Sequence, residues 1–185
     1  ASYHAMARAT RYTEAWTSFS NQRKTWAYRQ DQLPSTHPIA TDGPDLATVK
    51  LNFDGITYAK GASALRQLVA WVGEEEFFAG LRAYFQRHAW GNATFTDLLD
   101  ALEEASGRRL DAFAAAWLET AQVNTLRPLV SINDGVYESV TIQQEAPADH
   151  PTLRPHRLGV GLYDLVDGVL TRRERIEIDV AGEST

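Results

Sequence analysis

The residues best suited to chemistry lie in one ten-residue stretch, Phe53-Asp54-Gly55-Ile56-Thr57-Tyr58-Ala59-Lys60-Gly61-Ala62. An Asp-Gly turn beside an aromatic residue runs straight into a helical pattern, with Tyr58 in its first turn and Gly61 one turn further in. A phenol placed there can point outward and donate a hydrogen bond through its O–H. Taken alone, the pattern favours a packing tyrosine with a satisfied hydroxyl. On the same reading Gly61 lets helices pack closely, at a cost of about 1 kcal/mol in a helix interior. The five histidines, His4, His37, His88, His150 and His156, include no His-Glu-x-x-His run, and none has a second metal-binding side chain four residues away on a helix. His150 and His156 flank Pro151–Pro155 and fit a connector better than a chelate. The absence of cysteine excludes disulfides, thiolate nucleophiles and all Cys-containing metal sites. Gly55 and Gly61 are spaced for neither a phosphate-binding loop nor a dinucleotide fingerprint, and no Gly-x-Ser-x-Gly elbow is present.

The elements that must position this stretch are helical. Met6, Ala9, Trp16, Phe19 and Trp26 predict one long amphipathic helix over residues 2–31. A turn-rich loop follows at Leu33–Asp45. Helices are then expected at Tyr58–Val72, closed by Gly73, and at Glu74–His88, whose first turn carries three glutamates at the positive end of the helix dipole. Thr94 and Asp97 resemble a capping box ahead of the Phe95, Leu98, Leu99, Leu102 stripe; Ser106-Gly107 ends that helix, and Leu110–Thr120 forms another. Near Leu126–Pro128 alternating segments replace alanine-rich ones. Strands are expected at Leu129–Ile132, Val136–Gln144, Arg157–Leu165 and Val169–Val180, with tight turns at Asn133-Asp134-Gly135 and Asp167-Gly168. Helices followed by strands give an α+β chain, with a boundary expected between residues 1–126 and 127–185.

Composition restricts the partners. With 185 residues, 44% hydrophobic and 23% charged, the chain can bury a real core and is not a disordered or low-complexity sequence. A net charge of −6, and a basic excess at the start made only of Arg8, Arg11, Arg23, Lys24 and Arg29 against Glu14 and Asp31, give no nucleic-acid stripe. The longest apolar run, Ala112–Leu118, is far shorter than the roughly 18 residues of a membrane span, and Ala1–Thr10 shows no signal pattern. A cytoplasmic location is expected.

Tyr58, Lys60, Gly61 and Ala62 match the Tyr-x-Lys-Gly-[Ala/Ser] run of the aminopeptidase N family of zinc metallopeptidases, the gluzincins, which the chain resembles throughout. The resemblance extends to His37-Pro38-Ile39, Val72-Gly73-Glu74 with Phe77, Tyr84 with His88, Asp97-Leu98, Ala101-Leu102-Glu103, Ser106-Gly107 and Trp117-Leu118 with Thr120. It continues through Gln143-Gln144-Glu145, Leu153-Arg154-Pro155-His156-Arg157 and Gly161-Leu162-Tyr163-Asp164. It implies the helical C-terminal half of a thermolysin-like catalytic domain followed by an antiparallel β-sandwich domain. It further implies a zinc enzyme that removes N-terminal residues from peptides, with Tyr58 donating to the oxyanion and Phe53 lining the substrate cleft. The family's zinc ligands, base glutamate and Gly-x-Met-x-Asn segment are missing. The chain is therefore expected to be a fragment that lacks the upstream zinc-site segment and the downstream helical domain, binds no zinc itself, is inactive in isolation and self-associates through uncovered apolar surface. The competing reading is a non-catalytic, aminopeptidase-like scaffold or interaction module.

Overall fold

The computed structural model describes residues 2–185. Its helices fall within residues 2–118 and its strands within 125–180, the α+β order that the sequence implies. The chain gathers into two compact units. One holds residues up to Arg66 with Trp117–Val123 and Pro147–His150; the other holds Gln67–Ala116, Asn124–Ala146 and Pro151–Thr185. Among the described residues no helix is long and apolar enough to cross a membrane.

In the first unit the expected single helix over residues 2–31 is broken. Helix α1 (Ser2–Ala9) stops, and the chain resumes with α2 (Ala15–Ser18), a π-helical segment π1 (Phe19–Lys24) and α3 (Thr25–Asp31). Thr10 explains the stop. Its hydroxyl donates to the Met6 carbonyl at 2.6 Å and accepts the Tyr12 N–H at 3.1 Å, so a side chain takes over the ladder's hydrogen bonds. Phe19 is buried at the start of π1, with the rings of Tyr3 and Trp16 5.1 and 5.5 Å away in edge-on geometry, and the Arg66 guanidinium lies 4.0 Å over Trp16. After the loop a short helix, α4 (Leu46–Leu51), was not expected. Asp45 caps it by accepting the Thr48 N–H at 2.7 Å, and that bond holds its carboxyl below the usual aspartate range.

A second π-helical segment, π2 (Ile56–Lys60), leads into α5 (Gly61–Val72). In the second unit α6 (Glu74–Arg87) packs on α7 (Phe95–Ser106), which begins with the expected capping box: the Thr94 hydroxyl accepts the Asp97 N–H at 3.2 Å and Asp97 accepts the Thr94 N–H at 2.7 Å. Gly107, at φ 68°, ends α7 in the left-handed conformation that glycine adopts without strain. Gly80 is buried where α6 meets α7, and a Cβ there would come within 2.8 Å of Leu102 Cδ2 and 2.9 Å of the Ala101 carbonyl oxygen. Leu102, Leu110 and Val180 are fully buried, and Phe113 of α8 (Asp111–Leu118) joins them in this unit's core.

The strands form two hairpins, β1 (Thr125–Asn133) with β2 (Val136–Glu145) and β3 (His156–Val166) with β4 (Val169–Val180). Both are antiparallel and turn over two residues, Asp134-Gly135 and Asp167-Gly168, all four at positive φ, the arrangement whose twist suits a tight hairpin. The four strands therefore do not share one sheet. Their apolar residues, among them Leu126, Val130, Ile142, Leu158 and Leu162, line a common cavity of about 500 Å³ between the two hairpins. β2 and the start of β3 also share a polar knot. The buried Gln144 accepts from the Arg154 N–H at 3.2 Å, its carbonyl oxygen lies 3.0 Å from His156 Nε2, and its amide donates to the Gly182 carbonyl at 2.8 Å. Arg154 itself donates to the Ala116 carbonyl near the end of α8 at 3.0 Å and to Asn124 at 3.1 Å.

Candidate active site

All of the site lies in the first unit and is built on π2. The N–H groups that open a helix lack partners within it, and every one from Gly55 to Tyr58 is accounted for here. Gly55 donates to the Gln30 side chain of α3, Ile56 and Thr57 donate to Asp54 Oδ1 at 2.9 and 3.0 Å, and Tyr58 donates to the Asp54 carbonyl at 3.1 Å. Asp54 thus holds three consecutive amides. Its other carboxylate oxygen lies 3.0 Å from His37 Nε2, while His37 Nδ1 lies 2.7 Å from the Pro38 carbonyl oxygen.

Tyr58 faces outward from this turn. Its side chain is 55% exposed and no described residue hydrogen-bonds its hydroxyl, so the phenol is available to an outside acceptor. Phe53 is 66% exposed, and its ring centroid is 5.8 Å from that of Tyr58 at 50°. The two residues singled out in the sequence therefore stand side by side on the surface. What this pair can do is bounded by its groups: one O–H donor next to an apolar ring, able to hydrogen-bond a developing negative charge and to contact an uncharged side chain.

Two positions away, Lys60 points the opposite way. Its ammonium is 2.8 Å from Asp31 Oδ2 and donates to the carbonyls of Thr120 and Gln122, each at 3.3 Å. Asp31 also accepts from the Thr36 hydroxyl at 2.8 Å and from the Gln122 N–H at 2.9 Å, which leaves the carboxylate fully engaged. Lys60 of the recognised run is thus a buried anchor beneath the tyrosine.

Gly61 needs a correction. A Cβ there would stand 3.7 Å from Ile39 Cγ2 and 3.9 Å from the Ile56 carbonyl oxygen, ordinary contact distances, so this glycine is not what allows close packing. Gly55 is. A side chain at Gly55 would collide with Gln30 and come within 2.9 Å of the Trp26 ring. Of the histidines, His37 joins the site and His156 belongs to the polar knot. The roles of Asp31, Gln30 and His37 were missed from sequence, since each is separated from the motif by a turn or a loop, and that of Asp54 was missed although it lies inside the motif. The Asx-type spacing of Asp54 to Ile56 and Thr57 was the one local signal available.

No group of three or more His, Asp or Glu side chains comes together as a metal site among the described residues. The donors near Tyr58 are one histidine and one carboxylate already bound to each other, so these residues do not fit a zinc ion by themselves.

Several known proteins are similar to this chain. The crystal structure of Legionella pneumophila aminopeptidase A in complex with aspartic acid superimposes with a TM-score of 0.59 over 74% of this chain and 15% of its own, at 20% identity, a likeness of fold. Aminopeptidase N of Streptomyces lividans is 58% identical over 193 residues, covering 100% of this chain and 22% of its own length. The mitochondrial aminopeptidase 2 of Saccharomyces cerevisiae is 30% identical over 170 residues, 88% of this chain and 17% of its own. The chain thus spans about a fifth of the length of such relatives. The Peptidase family M1 domain matches residues 1–117, and with that match and the 58% identity the chain belongs to peptidase family M1.

Proposed function

We propose that these residues are part of a zinc aminopeptidase that hydrolyses N-terminal residues from peptides, and that Tyr58 is its oxyanion donor. The observation that carries this reading is the half-exposed Tyr58, its hydroxyl unengaged by any described residue, on a turn whose every opening amide is held. A tetrahedral intermediate puts negative charge on the former carbonyl oxygen. An O–H aimed at that charge from a rigid base stabilises the transition state more than the ground state, because the charge does not exist before attack. The relatives' names as aminopeptidases support peptide bonds as the substrate. Phe53, flanking Tyr58, lines the cleft and contacts the substrate's side chain.

On this reading residues 1–126 belong to the peptidase domain and residues 127–185 to a β-sandwich domain. Zinc enters through the resemblance, and its ligands come from residues other than these, so the isolated chain does not hydrolyse peptides. The test is turnover of an aminoacyl amide by the full-length peptidase carrying these residues. Tyr58→Phe is expected to lower kcat by about 100- to 1000-fold with little change in KM, the loss typical of one oxyanion donor. Unchanged kcat refutes the assignment.

A further inference from the structure

We infer that His37 is a positioning residue for Tyr58, acting through Asp54; this rests on Tyr58 being the oxyanion donor. The Asp54 carboxylate captures the amides of Ile56 and Thr57, while its backbone carbonyl takes that of Tyr58, so the direction in which the turn starts depends on the plane in which the carboxylate lies. Oδ1 is occupied by two N–H groups, and the carboxylate can still pivot about its Cβ bond. The contact from His37 to Oδ2, at 3.0 Å and with both side chains at least four-fifths shielded from solvent, stops that pivot.

His37 is in turn fixed by its own second nitrogen, 2.7 Å from the Pro38 carbonyl oxygen. Both ring nitrogens thus face oxygen acceptors. A carboxylate oxygen accepts, so in the contact with Asp54 it is Nε2 that carries the N–H. The chain of contacts is short: Pro38 carbonyl, His37 ring, Asp54 carboxylate, amides of residues 56 and 57, then the phenol on the next residue. A misplacement of about 1 Å at a reacting group can cost on the order of 100-fold in rate, so a loosened turn weakens turnover without unfolding anything.

The experiment compares His37→Ala and His37→Gln in the full-length peptidase, with Tyr58→Phe alongside. His37→Ala is expected to lower kcat about tenfold while KM and the thermal midpoint hold. His37→Gln, whose amide can still donate to Asp54, is expected to recover most of that loss. In parallel, the 185-residue chain labelled with 3-fluorotyrosine is followed by fluorine NMR. The Tyr58 resonance, assigned by its loss in Tyr58→Phe, shifts or broadens in His37→Ala and returns in His37→Gln. Wild-type kcat in His37→Ala overturns the inference, as does a loss of kcat that follows the thermal midpoint and is not recovered by glutamine. If the wild-type peptidase or Tyr58→Phe shows that Tyr58 has no part in turnover, the oxyanion reading fails instead. The fluorine signal then decides by itself whether His37 holds the Tyr58 turn.

Discussion

Asp31 and Lys60 form a 2.8 Å ion pair in which the side chains are only 2% and 9% exposed, two residues from the outward-facing Tyr58. Such a pair is costly to desolvate, and removing one partner leaves the other charge buried without its counterion. Lys60→Met is therefore expected to destabilise the protein by about 3–5 kcal/mol. Adding Asp31→Asn should return part of this, because the amide oxygen still accepts from Thr36 and Gln122. Urea denaturation of the two variants measures both, and a loss below about 1 kcal/mol for Lys60→Met would contradict the buried-anchor role.

Phe53 offers a contrast. Since its ring is 66% exposed, its truncation should cost little stability. Phe53→Ala in the full-length peptidase is expected to raise KM several-fold with kcat nearly unchanged, the pattern of lost uniform binding. A fall in kcat at constant KM would instead tie the ring to the orientation of Tyr58.

At the α6–α7 crossing, Gly80→Ala should destabilise by about 1–3 kcal/mol, because the new methyl meets backbone as well as a side chain. Gly61→Ala is expected to be neutral or slightly stabilising, given the ordinary contacts there and alanine's better helix propensity. Thermal unfolding of the pair separates the two glycines directly, and equal shifts would show that the crossing is looser than described.

Asp179 sits between two guanidiniums, 2.7 Å from Arg157 and 2.9 Å from Arg108. Burial pushes its carboxyl up, but the hydrogen bonds and charges of the two arginines outweigh this, and the net shift is downward. A carboxyl depressed in the folded state contributes stability that is present above its unfolded value and is lost as pH falls through the folded one. The second unit should thus weaken below about pH 4, and Asp179→Asn should be less stable near neutrality yet show a flatter acid limb. Denaturant midpoints from about pH 2 to pH 6 check the sign.

What the sequence disclosed was local. Thr94 with Asp97, Gly107, and the Asp-Gly turns at 134–135 and 167–168 are each set within four residues, and each appeared where expected. Tyr58 and Phe53 could be singled out because they share one segment, although only the resemblance gave the tyrosine a role. The break after α1 escaped because it depends on Thr10 competing with the backbone in the middle of an otherwise periodic pattern. Asp31 and Lys60 are nearly thirty positions apart, and His37 and Asp54 are separated by a loop and a helix; no periodicity reports such meetings. The strand from Thr125 starts before its apolar alternation and includes Pro128, which argues against a strand in sequence but is tolerated in a two-stranded sheet, where a missing N–H can face outward.

The π-helical opening of the Tyr58 segment bears on how this part of the chain tolerates length changes. A π-turn holds one more residue than the α-turn it replaces, so deleting a single residue between Ile56 and Lys60 would leave a regular helix with conventional hydrogen bonds. Removing Ala59 in particular would make Tyr58 and Lys60 neighbours, about 100° apart around the axis. They could then no longer keep their opposite bearings, one toward solvent and one toward Asp31. Point substitutions are open to this segment, whereas that one-codon deletion would misdirect either the phenol or the ammonium even as the helix became more ideal.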